Sequence, residues 1–232
     1  INPVAESRGQ YVFSDPDRER RLLAFVALLR KEAGVRRIVL SFDDQPTTLR
    51  ELSDVFRYGA SSAPAHLELT RRLAASLPGD VALWMCAAAY CDAHLGDGNG
   101  PYSEPFLAGL PSLPPAVGIV WTGPEVVSPT ITRADLEATR ARLNGRKLLL
   151  YDNFPVNDNN PDDTMALILG ALRGREAGIR EVVAGYLACP ERPLAGSRLS
   201  LLTTAEFLND PAPYDPDAAA ARAVARLAGR NP

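Results

Sequence analysis

Residues 37–44 read RIVLSFDD. The run from Ile38 to Phe42 is nearly unbroken in apolar character, the pattern of a strand covered on both faces. It stops on two adjacent carboxylates, Asp43 and Asp44. A surface turn would explain that pair, and so would a paired-carboxylate active site. The stretch alone leaves both readings open. Four further runs repeat the pattern: VALWMC at 81–86, VGIVW at 117–121, KLLLY at 147–151 and EVVAGYL at 181–187. Helical spacing fills the gaps between them. Residues 17–33 repeat Leu22, Leu23, Phe25, Val26 and Leu29 at helical intervals, and 65–76, 132–143, 194–208 and 216–228 behave alike. Thr132 and Asp135 stand three apart, as in a capping box. Pro216 suits a first helical position, with Asp215 or Tyr214 before it.

Strand–helix alternation with buried parallel strands predicts an α/β fold. The residues at the strand ends narrow it further. Asp43 and Asp44 follow the first run, Tyr90 the second, Trp121-Thr122-Gly123-Pro124 the third, and Asp152-Asn153 the fourth. A (β/α)8 TIM-type barrel collects its site from such carboxyl ends. An open doubly wound sheet also binds at strand ends, but no GxGxxG or phosphate loop is present to support a nucleotide site. Five strands are legible, not eight, and Ile1-Asn2-Pro3 reads as the stub of another. Raw sheet edges would be left exposed by so few strands. The expectation is therefore a single barrel domain over 1–232, the C-terminal two-thirds of a barrel. Its first two to three strands, an N-terminal segment, would be missing from this chain.

Composition excludes several classes. The chain has 232 residues, 25 basic and 28 acidic, for a net charge of −3. No basic stripe supports nucleic acid as a partner. No run approaches the length of a transmembrane helix. Three cysteines, Cys86, Cys91 and Cys189, form neither a disulfide framework nor a metal-ligand pattern and read as packing thiols. Two histidines, His66 and His94, supply a metal site or a Ser/His triad poorly. No metal and no cofactor are expected. His66 reads as helix surface. His94 lies in the glycine-rich loop 92–100, a lid or a simple strand–helix connection. The chain opens on Ile1 without a signal peptide. Its Ala/Arg/Pro-rich composition points to a bacterial protein, secreted or cytoplasmic.

Three segments in order carry a resemblance: Phe42-Asp43-Asp44, Trp121-Thr122-Gly123-Pro124, and Asp152-Asn153-Phe154-Pro155-Val156-Asn157-Asp158. Together they resemble the catalytic domain of glycoside hydrolase family 84, the β-N-acetylglucosaminidases that include O-GlcNAcases. The resemblance implies retaining hydrolysis of terminal β-linked N-acetylglucosamine, in which the sugar's own 2-acetamido oxygen is the nucleophile, an exception to the usual two-carboxylate scheme. It implies that Asp43 orients the acetamido N–H. Asp44 would protonate the leaving oxygen and later deprotonate water. It implies that Tyr90 helps fix the acetamido group and that Asn153 and Asp158 hold sugar hydroxyls. Adjacent carboxylates disfavour double ionisation, and a retained proton is what a general acid needs. One geometric condition follows. Neighbours on an extended strand face opposite ways, so both aspartates serve one pocket only if the strand has ended at Asp43. Trp121 would pack beside the site.

The chain departs from the family pattern at two places. Tyr151 stands where the family has a tryptophan flanking the acetyl pocket. Cys189, in Ala188-Cys189-Pro190, stands where it has a sugar-binding asparagine, and a thiol is a weak hydrogen-bonding group. The expected partner is a GlcNAc-containing glycan or glycoconjugate. Two alternatives stay open: a glycosidase of altered sugar specificity (hyaluronidase-like or acting on another hexosaminide), and a non-hydrolytic carbohydrate-binding protein on the same scaffold.

Overall fold

A computed structural model describes residues 1–3, 11–96, 100–157, 167–192 and 194–229. Five strands form one sheet in the order β1 (Arg37–Ser41), β2 (Ala82–Cys86), β3 (Gly118–Trp121), β4 (Leu148–Pro155), β5 (Gly185–Cys189). The pairs β1–β2 and β2–β3 are parallel, with Leu40 opposite Met85 and Met85 opposite Ile119. Sequential order with helical connections is the topology of consecutive strands of a (β/α)8 barrel. The fold is that of a barrel lacking its first strands. Ile1 continues the pattern outward: its nitrogen donates to the Val39 carbonyl at 2.7 Å and its carbonyl accepts from Ser41 N–H at 2.8 Å. Those two bonds are the ladder of a parallel neighbour on the outer side of β1, as the strand-stub reading expects.

The chain divides into two compact units, one of Ile1–Trp121 with Thr139–Leu149 and one of Thr122–Ala138 with Leu150–Pro232. In the first, α1 (Pro16–Ala33) starts at Asp15, whose side chain accepts from Asp17 N–H, and stops at Gly34 in the left-handed region. The α2 helix (Leu52–Tyr58) was not legible in the sequence pattern, nor was α4 (Gly100–Gly109). Between them, α3 (Ala63–Ser76) buries Leu67, Leu69 and Leu73. Leu22 and Val26 of α1, Ile38 and Leu40 of β1 and Phe106 of α4 are buried as well. The β1 strand alternates: Ile38 and Leu40 are buried, while Val39 and Ser41 stay half-buried. Full burial on both faces is seen only in β3.

Arg146 ties the base of this unit together. Its guanidinium donates to four carbonyls, those of Leu110 (2.6 Å), Leu113 (2.8 Å), Pro114 (3.0 Å) and Val117 (3.0 Å). A buried carbonyl without a donor costs free energy. Arg146→Met is expected to destabilise the protein by roughly 3 kcal/mol, with Arg146→Lys intermediate because an ammonium lacks the planar fork. Urea unfolding checks this, and an unchanged midpoint in Arg146→Met would refute it.

In the second unit, α5 (Arg133–Arg142) begins with the expected capping box. Thr132 N–H donates to Asp135 Oδ2 at 2.9 Å, and Asp135 N–H donates back to Thr132 Oγ1 at 3.1 Å. Then come α6 (Arg198–Asn209) and α7 (Pro216–Leu227), the latter capped by Asp215, which accepts from Ala218 N–H. Ile131, Leu136, Leu150, Leu172, Ile179 and Phe207 form the core here. The sequence reading ended the fourth strand at Tyr151. The structure carries it to Pro155, so Tyr151, Asp152 and Asn153 lie inside β4. Asp152 made the run look finished, because a carboxylate at an inward position breaks an apolar pattern unless a cation meets it.

Candidate active site

The strand does end before Asp43. β1 stops at Ser41, and Phe42 N–H makes one last bond to the Cys86 carbonyl at 2.8 Å. Phe42 to Gln45 then form a tight turn, closed by Gln45 N–H on the Phe42 carbonyl at 3.3 Å. Asp44 has φ +54°, the left-handed region that Asp tolerates better than most residues. The turn removes the alternation that would have sent the two carboxylates to opposite faces. Asp43 is half-buried and Asp44 exposed. Asp43 Oδ1 accepts from Ser41 Oγ. Asp44 Oδ1 accepts from the Tyr90 hydroxyl at 2.8 Å.

Tyr90 reaches Asp44 from the segment after β2, where Ala87, Ala88, Ala89 and Cys91 are all buried. Burial first, then the hydrogen bond to Asp44 and its charge, push the Tyr90 phenol up, so it stays a proton donor. The His94 ring meets Tyr90 edge-on, centroids 4.6 Å apart. Burial lowers the His94 pKa and the Asp44 charge works against that. His94 sits in a short 3-10 turn at Ala93–Leu95, with its carbonyl accepting from Ser103 Oγ. Asp92 accepts from Thr139 Oγ1. The start of the stretch read as a possible lid is thus built into the fold, and 97–99 lie outside the described residues. Cys86 and Cys91 are buried, as packing thiols should be, and burial pushes the Cys86 thiol up. Trp121 is completely buried, and its indole Nε1 has no acceptor among the described residues.

The second unit holds the other candidates. Along β4 the buried side is Leu148, Leu150 and Asp152, and the half-buried side is Leu149, Tyr151 and Asn153. Asn153 Nδ2 donates to the Val126 carbonyl at 2.7 Å, which ties it to the loop after Trp121. That loop turns at Gly123, with φ +111°; a Cβ there would stand 2.8 Å from Ser128 Oγ. Only glycine fits such a position without strain. The Tyr151 hydroxyl lies 3.3 Å from Cys189 Sγ, so the two departures from the family pattern meet each other. Asn157 makes a reciprocal pair with the Arg192 backbone, 3.0 Å in each direction. Asp158 lies outside the described residues.

Sequence reasoning missed one cluster. Arg175 grips Asp152 with two bonds, Nε to Oδ2 at 2.7 Å and Nη2 to Oδ1 at 2.6 Å, and the Tyr186 hydroxyl donates to the same carboxylate. No local signal joins residues this far apart in the chain. His66 also departs from expectation: it is 1% exposed, not on the helix surface. Among the described residues no group of His, Cys, Asp and Glu could hold a metal ion. No described helix is long and apolar enough to cross a membrane.

Residues 7–232 match the family model for beta-N-acetylglucosaminidase. The protein O-GlcNAcases of Rattus norvegicus and Mus musculus are each 26% identical over 182 residues, 75% of this chain and 18% of theirs. A mutant of the O-GlcNAc hydrolase of Thermobaculum terrenum superposes with a TM-score of 0.81 at 28% identity, covering 95% of this chain and 46% of that one. The structure of CpGH84B shares the fold, with a TM-score of 0.76 at 22% identity over 99% of this chain and 38% of its own. The chain thus spans less than half the length of each of these proteins.

Proposed function

The chain belongs to the beta-N-acetylglucosaminidase family, and we propose on that footing that residues 1–232 form one catalytic domain of a retaining exo-β-N-acetylglucosaminidase. Its substrate is a glycan or glycoconjugate bearing terminal β-linked N-acetylglucosamine. The observation that carries this reading is the Asp43–Asp44 turn with the Tyr90 hydroxyl on Asp44.

The 2-acetamido oxygen attacks the anomeric carbon as the glycosidic bond breaks, giving an oxazoline. Asp43 accepts the acetamido N–H and aligns the carbonyl for attack. Asp44 gives a proton to the departing oxygen and takes one from the water that opens the oxazoline. Tyr90 has a single proton to donate. In the free protein it goes to Asp44. A hydrogen bond from Tyr90 to the acetamido oxygen would release that Asp44 lone pair, so substrate binding and freeing of the acid are one event. Asn153 and Asp158 hold sugar hydroxyls in this reading, and the buried Trp121 packs beside the pocket.

The Tyr151–Cys189 contact favours a second reading, altered sugar preference, because each side chain is engaged by the other. A panel of 4-nitrophenyl glycosides separates the two. The β-N-acetylglucosaminide is expected to turn over at least about a hundredfold faster than the β-glucoside, which lacks the internal nucleophile. Comparable rates on both sugars would sink substrate assistance. A preference for another hexosaminide would establish the second reading. Binding of N-acetylglucosamine without turnover would make the protein a carbohydrate-binding one.

A further inference from the structure

Phe42, the residue before the aspartate pair, is completely buried, and the His66 ring of α3 lies flat on it, centroids 4.0 Å apart and planes 6° from parallel. His66 Nδ1 is 3.0 Å from the hydroxyl of Tyr102 on α4, which is completely buried too. The same hydroxyl oxygen accepts from the Ala88 N–H at 3.2 Å. A phenol has one proton. The Ala88 amide can only donate, so assigning His66 Nδ1 as the acceptor gives the Tyr102 proton its partner. That assignment makes His66 the neutral Nε2–H tautomer. Burial agrees, pushing its pKa down to about 3.

The two ends of this chain of contacts are the two segments of the candidate site. Phe42 opens the turn that carries Asp43 and Asp44. Ala88 lies two residues before Tyr90, whose hydroxyl closes the circuit on Asp44. Three buried alanines precede Tyr90, and none has a polar side chain that could anchor the segment.

We propose that His66 and Tyr102 are positioning residues, a buried imidazole–phenol strut that sets the spacing between the Asp43–Asp44 turn and the segment bearing Tyr90. This rests on the functional reading above. Neither residue touches substrate. Tyr102→Phe removes one oxygen, keeps the ring, and leaves the Ala88 amide and His66 Nδ1 without partners. It is expected to lower kcat on the β-N-acetylglucosaminide by about tenfold to a hundredfold, the scale of a small misplacement of reacting groups. KM should stay within about twofold of wild type, as for a loss confined to the transition state. His66→Gln keeps a flat acceptor and should recover part of the loss seen in His66→Leu.

Two activity-independent readouts accompany the kinetics. Nitrogen-15 NMR of the wild-type protein should find His66 as the neutral Nε2–H tautomer between pH 5 and 8, and a charged or Nδ1–H ring would overturn the strut. A crystal structure of Tyr102→Phe should show the Tyr90–Asp44 bond lengthened. An unchanged bond, or wild-type kcat in an active background, would also overturn it. Wild-type inactivity on the sugar would count against the functional reading alone, and the NMR and crystal results would still decide on the strut.

Discussion

Asp44→Asn is expected to lose about 10²–10⁴-fold in kcat/KM on a substrate with a poor leaving group, the usual contribution of general acid–base catalysis. On a 4-nitrophenyl substrate the loss should shrink, because a stable phenolate departs with little protonation. Asp43→Asn is expected to lose a similar factor on both substrates. Its proposed work is alignment of the acetamido group, which precedes departure and is blind to the leaving group. The geometry supports separate roles for the two. Asp43 is half-buried and held by Ser41, while Asp44 is exposed beyond the left-handed turn and shared with Tyr90. The measurement is a series of aryl β-N-acetylglucosaminides of graded leaving-group pKa, run on the wild-type protein and both variants. A steeper dependence in Asp44→Asn with a parallel one in Asp43→Asn is the expected result. The reverse pattern would exchange the two assignments. Wild-type rates in both variants would remove the pair from the mechanism.

The features of the fold and of the candidate residues that were legible in the sequence are local. RIVLSFDD shows an apolar strand ending on carboxylates, and the turn that carries Asp43 and Asp44 lies within four residues of it. Thr132 and Asp135 announce their capping box because both partners sit in one helical turn. The parts that were not legible depend on distant partners. His66 looks like a polar residue on a helix until Phe42 and Tyr102 are seen against it. Asp152 looks like the end of a strand until Arg175 supplies its counter-charge. Composition and spacing report what each residue can do, and tertiary contact decides which of those it does. Helix α2 escaped for a related reason: it is short and leaves Leu52 73% and Phe56 89% exposed, so no apolar stripe marks it.

Asp152→Asn or Arg175→Met should each cost about 3–5 kcal/mol of stability, the range for removing one partner of a buried ion pair. The Asp152 side chain is 1% exposed and that of Arg175 4%, so either survivor would keep a charge out of water with nothing opposite. Burial disfavours the Arg175 cation, but the hydrogen bonds and charge of Asp152 outweigh it and leave the pKa raised. Tyr186 adds a third bond and is itself held neutral, chiefly by burial and then by the Asp152 charge. For a chain of this size the expected fall in Tm is about 6–20 °C. Asp152→Leu with Arg175→Met and Tyr186→Phe removes all three polar groups together. Because the cost of a single change lies mostly in the stranded partner, that triple variant should be more stable than either single one. Thermal melts of the three proteins decide the matter, and a triple variant less stable than Asp152→Asn would show that the ion pair is worth more than its desolvation. Asp152 is gripped on the buried side, while Tyr151 and Asn153 stand on the other, so the same three bonds hold the strand that presents them.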